Sequence, residues 1–421
     1  MTTDSRRTSF KFVHAADLHL DSPFQNLKRK GSLPVEELKA ASRNAFLALI
    51  QLCLDEPVDF LLLAGDIYDG EWRDVQPAIY LGKQLQRLAK AGIPTYIILG
   101  NHDASNRGIK GFKTFVEDNA VVFSATEAET SEVPGLAATV HGQSFATREM
   151  TENLAKAYPV PTKNSFNIGL LHTALEGREG HDTYAPTSVP ELTAKGYDYW
   201  ALGHIHKKEV VSEDPYIVFS GNLQGRSVRE LGPKGAFLIE VDDGSVSALE
   251  FRELSSFRWI ELTVPADDDS SSSAIINLCC DAVKLSRQSA TDKRFIVRFV
   301  VDGSTALDAE FLHDRLQVSL EDLFEDTVLL EGIKFQSREE RQSTEIQEDH
   351  SAFLSDLELT ESEMATLIDL SIGPLEEKLP PELKSLDANN DLPHSGFVPW
   401  KEEALGLLNE LAAAKGSEDA S

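Results

Sequence analysis

Three cysteines in 421 residues, Cys53, Cys279 and Cys280, are too few and too awkwardly spaced for a disulfide framework. Two are adjacent and none has the paired spacing of a zinc finger. All three therefore read as small buried hydrophobes in a reducing cytoplasm. No apolar run approaches the roughly 18 residues needed to cross a bilayer, so no membrane association is expected. Residues 1–11 carry basic side chains but no apolar centre, which argues against a secretory leader. Positive charge is also scarce: 40 Lys and Arg stand against 69 Asp and Glu, a formal net charge of −29. A protein that coats nucleic acid through a broad basic face is excluded by that balance, whereas a local phosphate site built on metal ions is not. The deficit is uneven, −8 over residues 1–250 and −21 over 251–421. A pair of divalent cations would leave the first part only mildly acidic.

What the chain does contain is an alternation of short apolar runs and helical stretches. Runs rich in β-branched or aromatic residues at 10–16, 59–64, 95–99, 138–145, 167–171, 197–202, 216–220 and 236–241 predict strands. Helices are expected at 35–54 and 77–91. Continuous apolar segments such as Phe60-Leu61-Leu62-Leu63 belong to a sheet covered on both faces. An α/β sandwich of mixed sheets flanked by helices follows for residues 1–255, with function at the carboxyl ends of its strands. A small α/β unit is expected at 256–337, with strands at 259–264, 294–301 and 327–335 and helices at 274–287 and 306–324. Residues 338–421 turn acidic and irregular, broken by Pro374, Pro380, Pro381 and Pro393. They end in an amphipathic helix striped by Trp400, Leu405, Leu408 and Leu411.

Five of the strand exits carry metal-binding side chains. They are Asp17-Leu18-His19-Leu20-Asp21, Gly65-Asp66-Ile67-Tyr68-Asp69, Gly100-Asn101-His102-Asp103, Leu171-His172-Thr173 and Gly203-His204-Ile205-His206. Carboxylate, amide and imidazole donors together suit Mn²⁺ first, then Fe²⁺ or Zn²⁺, better than Ca²⁺ or a thiolate-bound metal. Pairs at i and i+2, Asp17/His19 and His204/His206, put both side chains on one side of an extended backbone. A carboxylate at Asp66 is placed to bridge two cations roughly 3.5–4 Å apart.

This set of motifs resembles the calcineurin-like metallophosphoesterases. HAADLHLDSPF at 14–24, KGYDYWALGHIHK at 195–207 and GNLQGRSVRELGPKG at 221–235 resemble the DNA-repair exonucleases of the SbcD and YhaO type within it. The resemblance implies Asp17, His19, Asp66 and His206 around one cation and Asp66, Asn101, His172 and His204 around the other. A hydroxide between them would attack the phosphodiester, and His102, oriented by Asp103, would protonate the leaving oxygen. Archaeal and eukaryotic relatives tend to carry His where this chain has Asp69, which shifts proton donation further onto His102. Arg107, Arg226 and Arg229 are candidates for gripping phosphate, with a solvated or ion-paired loop as the alternative. His14 and His141 read as core histidines, His181 as a surface one and Asp21 as a brace. The implied function is a nuclease subunit in DNA repair: a 3′–5′ exonuclease on duplex ends, a single-strand endonuclease, or both. Its expected partners are DNA ends, an SMC-like ATPase docked by the terminal helix, and a second copy paired through 35–54. The small α/β unit would be its capping domain. Two alternatives are a phosphoesterase for a small phosphoester or nucleotide, and a scaffold that mainly holds an ATPase at DNA ends.

Overall fold

The computed structural model describes residues 6–22, 35–68, 76–104, 120–175, 184–267, 269–288, 290, 292–303 and 308–336. The terminal stripe Trp400, Leu405, Leu408 and Leu411 and His181 lie outside them. Two six-stranded sheets dominate. The first comprises β1 (Phe10–Ala15), β2 (Phe60–Ala64), β3 (Thr95–Ile98), β4 (Ala120–Val122), β11 (Gly235–Asp242) and β12 (Ser245–Glu253), in the order β12-β11-β1-β2-β3-β4. The second comprises β5 (Glu129–Glu132), β6 (Ala138–Gly142), β7 (Phe166–His172), β8 (Tyr199–Gly203), β9 (Glu209–Glu213) and β10 (Tyr216–Phe219), in the order β5-β6-β7-β8-β10-β9. β1 to β4 run parallel, as do β6, β7, β8 and β10, while β11, β12, β5 and β9 are antiparallel to their neighbours.

The apolar runs explain the layering, because successive strand side chains point to opposite faces. Phe60, Leu62 and Ala64 of β2 join Phe12 in a core shared with Val140, Ile168 and Tyr199 of the second sheet. Leu61 and Leu63 turn the other way and pack with Val13 under two helices, α1 (Val35–Asp55) and α2 (Gln76–Lys90). Phe46, Leu49, Ile50 and Cys53 of α1, and Leu81, Leu85 and Leu88 of α2, recur at helical spacing on that face. The outer face of the second sheet buries Trp200 and Ile217 against the 3₁₀ turn Leu154–Ala157 and α4 (Val189–Ala194). His14 spans the two sheets. Its Nε2–H donates to Leu202 O at 3.2 Å, which leaves Nδ1 to accept from Tyr199 Oη at 3.1 Å.

A third sheet, β13 (Phe257–Pro265), β14 (Arg294–Asp302) and β15 (Val328–Gln336), carries α5 (Ser272–Arg287) and α6 (Ala309–Phe324). One compact unit takes in both large sheets and most of the third, through residues 264, 271–300 and 308–334. Residues 265–267, 269–270, 301–303 and 335–336 belong to a second. Among the described residues no helix is long and apolar enough to cross a membrane.

The eight strands expected over 10–241 are the eight interior strands of the two large sheets. The four that went unread, β4, β5, β9 and β12, are their four edges. β5 (ETSE) and β9 (EVVSE) are largely polar and at most partly buried, so they lack the apolar signal of a covered strand. α4 is short, yet Ser188 and Glu191 form a capping box around its start.

Candidate metal centre

β1, β2 and β3 lie side by side in parallel, so the loops leaving them bring Asp17, Asp66 and Asn101 to one end of the sheet. β7 ends on His172 and β8 on Gly203, just before His204 and His206. Two glycines let the sheets approach there. A Cβ at Gly203 would lie 2.0 Å from Ala64 O, and one at Gly65, whose φ is +91°, would lie 2.5 Å from His172 Nδ1. α3 (Asn101–Ala104) begins directly on the donors.

The ligand atoms of Asp17, His19 and His206 lie within 4.8 Å of one another, as do those of Asp17, Asp66 and His172. Asp66 Oδ2 is common to both sides, 3.8 Å from His19 Nε2 and 3.5 Å from His172 Nε2. Its other oxygen accepts the backbone N–H of His102 at 3.0 Å. The backbone N–H of His204 donates to both oxygens of Asp17 at 3.1 Å, and the His204 ring stands 5.2 Å from that of His172. The His102 ring meets His19 edge-on, centroids 5.0 Å apart.

Tautomers decide what these contacts mean. His172 Nδ1 faces Ala64 O at 2.9 Å and must donate to it, so a neutral ring turns the lone pair of Nε2 toward Asn101 Oδ1, 3.0 Å away. Two acceptors at that separation need positive charge between them. Burial alone would lower the pKa of His172, but the carboxylates of Asp66 and Asp17 reverse this and raise it to about 9. Burial would likewise raise Asp66, yet His172, His19 and His102 hold it well below the usual carboxylate range, while burial pushes Asp17 up. A buried carboxylate pair ringed by imidazole lone pairs fits divalent cations of the Mn²⁺, Fe²⁺ or Zn²⁺ kind.

The backbone is strained at the same place. Asp17, His19, Asp66 and His204 have φ of 51°, 42°, 50° and 99°, in the left-handed region that side chains with a Cβ disfavour. Of the nine non-glycine residues in that region among those described, five, counting Asp21, belong to these loops. Such conformations persist only where the surrounding structure enforces them.

The calcineurin-like phosphoesterase family matches residues 10–208. The uncharacterized metallophosphoesterase YhaO of Bacillus subtilis is 35% identical over 303 residues, spanning 70% of this chain and 72% of its own length. The chain is a calcineurin-like metallophosphoesterase. The DNA double-strand break repair protein Mre11 of Methanopyrus kandleri is 26% identical to this phosphoesterase, over 60% of the chain and 58% of its own length. That of Sulfolobus acidocaldarius is 23% identical, over 90% of the chain and 100% of its own length. Family membership makes the chain a phosphoester hydrolase.

In this phosphoesterase two expectations need revision. Asp103 does not serve His102 as an orienting partner. Its carboxylate accepts the backbone N–H groups of Gly100 (2.9 Å), Ile67 (3.1 Å) and Tyr68 (2.9 Å), bracing the Asp66 loop against α3. Burial and the neighbouring Asp66 push its pKa up to about 7, against those three donors. Arg226 is turned inward, with Nη2 on Glu230 Oε1 at 2.9 Å and Nη1 on Ser22 Oγ at 3.3 Å. That is the ion-paired alternative. Arg229 is exposed, and Asp69 and Arg107 lie outside the described residues. His14 and His141 are hydrogen-bonded core residues, and Asp21 pairs with Arg43.

Glu230 lies inside the 221–235 stretch, yet nothing there marks it as a partner of the metal donors. It accepts Nδ1–H of His206 at 2.8 Å and so leaves Nε2 of that ring as the donor atom, 3.1 Å from His19 Nε2. Although burial would raise it, its bonds to His206 and Arg226 hold its pKa well below the usual range. Besides its place in that stretch, its sequence signal is the Arg226/Glu230 spacing of four, which on its own is common in any helix or turn. Lys234, buried, donates to His206 O at 2.7 Å, and burial lowers its pKa to about 8.

Proposed function

We propose that this phosphoesterase is a two-metal DNA nuclease subunit working at duplex ends in DNA repair, as a 3′–5′ exonuclease with single-strand endonuclease activity. The observation that carries the reading is Asp66 Oδ2 within reach of imidazoles from both sheets, His19 at 3.8 Å and His172 at 3.5 Å. Similarity to an Mre11 along that protein's whole length supports DNA as the substrate. In this reading Asp17, His19, Asp66 and His206 hold one cation, and Asp66, Asn101, His172 and His204 the other, with Mn²⁺ the first choice. Two such cations supply Lewis acidity and a nucleophile from water at neutral pH.

The chain's own residues do the rest. Ala64 O and Glu230 fix which nitrogen His172 and His206 present. Asp103 holds the loop of Asp66 in place through backbone N–H groups. His102 is half-buried beside His19, its main chain tied to Asp66, and its imidazolium protonates the departing sugar oxygen. Residues 1–255 form the nuclease domain and 256–337 the cap that selects DNA. The segment 338–421 meets an SMC-like ATPase through Trp400, Leu405, Leu408 and Leu411, and α1 pairs two copies.

A second reading, a small phosphoester or nucleotide as substrate, is favoured by the net charge of −29 and the missing basic stripe. Mn²⁺-dependent digestion of an end-labelled linear duplex, the same duplex closed into a circle, and a bis-aryl phosphodiester separates the two. Degradation of linear DNA that His102→Ala abolishes while metal stays bound supports the nuclease. Cleavage of the small diester alone, with and without an SMC-like ATPase added, overturns it in favour of the second reading.

A further inference from the structure

Residues 222–234 connect β10 to β11 and touch the metal centre and the third sheet at once. Toward the centre, Glu230 receives Nδ1–H of His206 at 2.8 Å and Lys234 Nζ donates to His206 O at 2.7 Å. Toward the third sheet, the segment is stitched to the start of β13. Gln224 Oε1 accepts from the backbone N–H of Ser256 at 2.8 Å, and its Nε2 donates to Phe257 O at 3.0 Å. Trp259 Nε1–H donates to Gly225 O at 2.8 Å, and Gly232 N–H donates to Trp259 O at 2.9 Å. Trp259 is 2% exposed, held with Phe257 and Ile296 of the third sheet against Leu38 and Ala41 of α1.

We propose that 222–234 is a positioning strap: the third sheet, through Trp259, sets the place of Glu230, and Glu230 sets the Nε2 of His206 for its cation. The inference rests on the two-metal reading and extends it. His172 is oriented by Ala64 O, a backbone atom at the end of β2, which is fixed by the sheet itself. His206 depends on a side chain carried by a loop whose position another sheet determines. One cation position therefore answers to the third sheet and the other does not.

The chemistry of Glu230 makes the strap testable. Oε1 receives His206 Nδ1–H and Arg226 Nη2, while Oε2 receives Asn222 Nδ2 at 3.0 Å and the backbone N–H of Arg226 at 2.7 Å. Every neighbour of both oxygens is a donor. A glutamine here must aim its –NH₂ at one of those donors, so Glu230→Gln breaks one side of the network with little change of shape. Arg226 Nη2 also lies 3.3 Å from His206 Nδ1. A guanidinium only donates, so that nitrogen cannot serve both, and the shorter bond to Glu230 decides the tautomer.

The test uses the full chain and Mn²⁺ alone as probe, titrated by electron paramagnetic resonance into wild type, Glu230→Gln and Trp259→Phe. ¹⁵N-histidine spectra of the metal-free proteins report the tautomer. Wild type should bind two Mn²⁺. Glu230→Gln should weaken one of them by about 10–100-fold, leave the other unchanged and alter the Nδ1–H signal of a single histidine. Trp259→Phe keeps the ring bulk but loses the indole N–H, and should weaken the same ion by less than about tenfold, with the thermal midpoint reporting the fold. Equal weakening of both ions, or unchanged binding and spectra in either variant, overturns the strap while leaving the two-metal reading intact. A wild type that binds no Mn²⁺, Fe²⁺ or Zn²⁺ overturns both.

Discussion

His172 and His206 offer the same imidazole atom to the same centre, yet they are built into the protein in opposite ways. His172 is the last residue of a central strand, fully buried, its ring fixed by the backbone carbonyl of Ala64. His206 lies in a loop with its side chain 21% exposed, and it is held by Glu230, a side chain on another loop. The difference is between a donor that the sheets cannot help presenting and one that must be arranged by extra parts. Rigid placement gives affinity. On the two-metal reading, a side-chain neighbour at the open side would let another part of the protein act on the metal.

The common element of the two sides is Asp66, so its loss should have the largest effect. Asp66→Asn is expected to strip both cations and take phosphodiester hydrolysis to the metal-free background, checked by metal content and a bis-aryl phosphodiester assay. His102→Ala comes next. It should retain both cations and lose about 10²–10⁴-fold in kcat, the range for removing a general acid. Retained activity would move the proton donor elsewhere. Stability sharpens the contrast between the two imidazoles. His172→Ala leaves Ala64 O buried without its donor and should cost about 1–3 kcal/mol in urea unfolding of the metal-free protein. His206→Ala, at the open side, should cost less than about 1 kcal/mol. Equal costs would erase the distinction.

The most gradual effect, spread over several pH units, concerns the bolt between the sheets beneath the sealed side. Burial lowers the pKa of His14 to about 3 from an ordinary value of 6.5. Between those limits the unfolded chain takes up a proton that the folded one refuses. Stability should therefore fall as pH drops below 6.5, by up to about 1.4 kcal/mol per pH unit, and level off near pH 3. His14→Leu should be less stable at pH 7 and show a shallower acid limb in urea midpoints between pH 7 and 4. An unchanged slope would show that other groups carry the acid sensitivity.

Legibility in the sequence followed burial. Strands covered on both faces announce themselves as apolar runs, which is why β1, β2, β3, β6, β7, β8, β10 and β11 were all readable. An edge such as β5, exposed at three of its four positions, satisfies its hydrogen bonds on one side only and needs no apolar signature. The cluster of candidate donors was readable because five chemically matched segments sit at strand exits in order. Their supports were not. Asp103 lies inside a motif, so its place beside His102 invited the wrong partner, and its actual task of capping backbone N–H groups depends on a loop 35 residues earlier. Glu230 lies within the 221–235 stretch but outside the five donor segments, and it acquires its role only once β10 and β11 bring its loop under His206. The left-handed φ of Asp17, His19, Asp66 and His204 is likewise a product of the two sheets meeting.

Asp17, His19, Asp66 and Asn101 issue from one sheet and His172, His204 and His206 from the other. On the two-metal reading, a ribosome that has released the first 101 residues has made four candidate donors and no centre, and the remaining three wait on about another hundred. On that reading cation capture would be a closing event in biosynthesis, a seal placed on a chain whose two sheets have already met, and it would not template the steps before it. The metal would then be an inspector of finished molecules: a chain halted midway holds no complete set of donors and would carry no catalytic hazard.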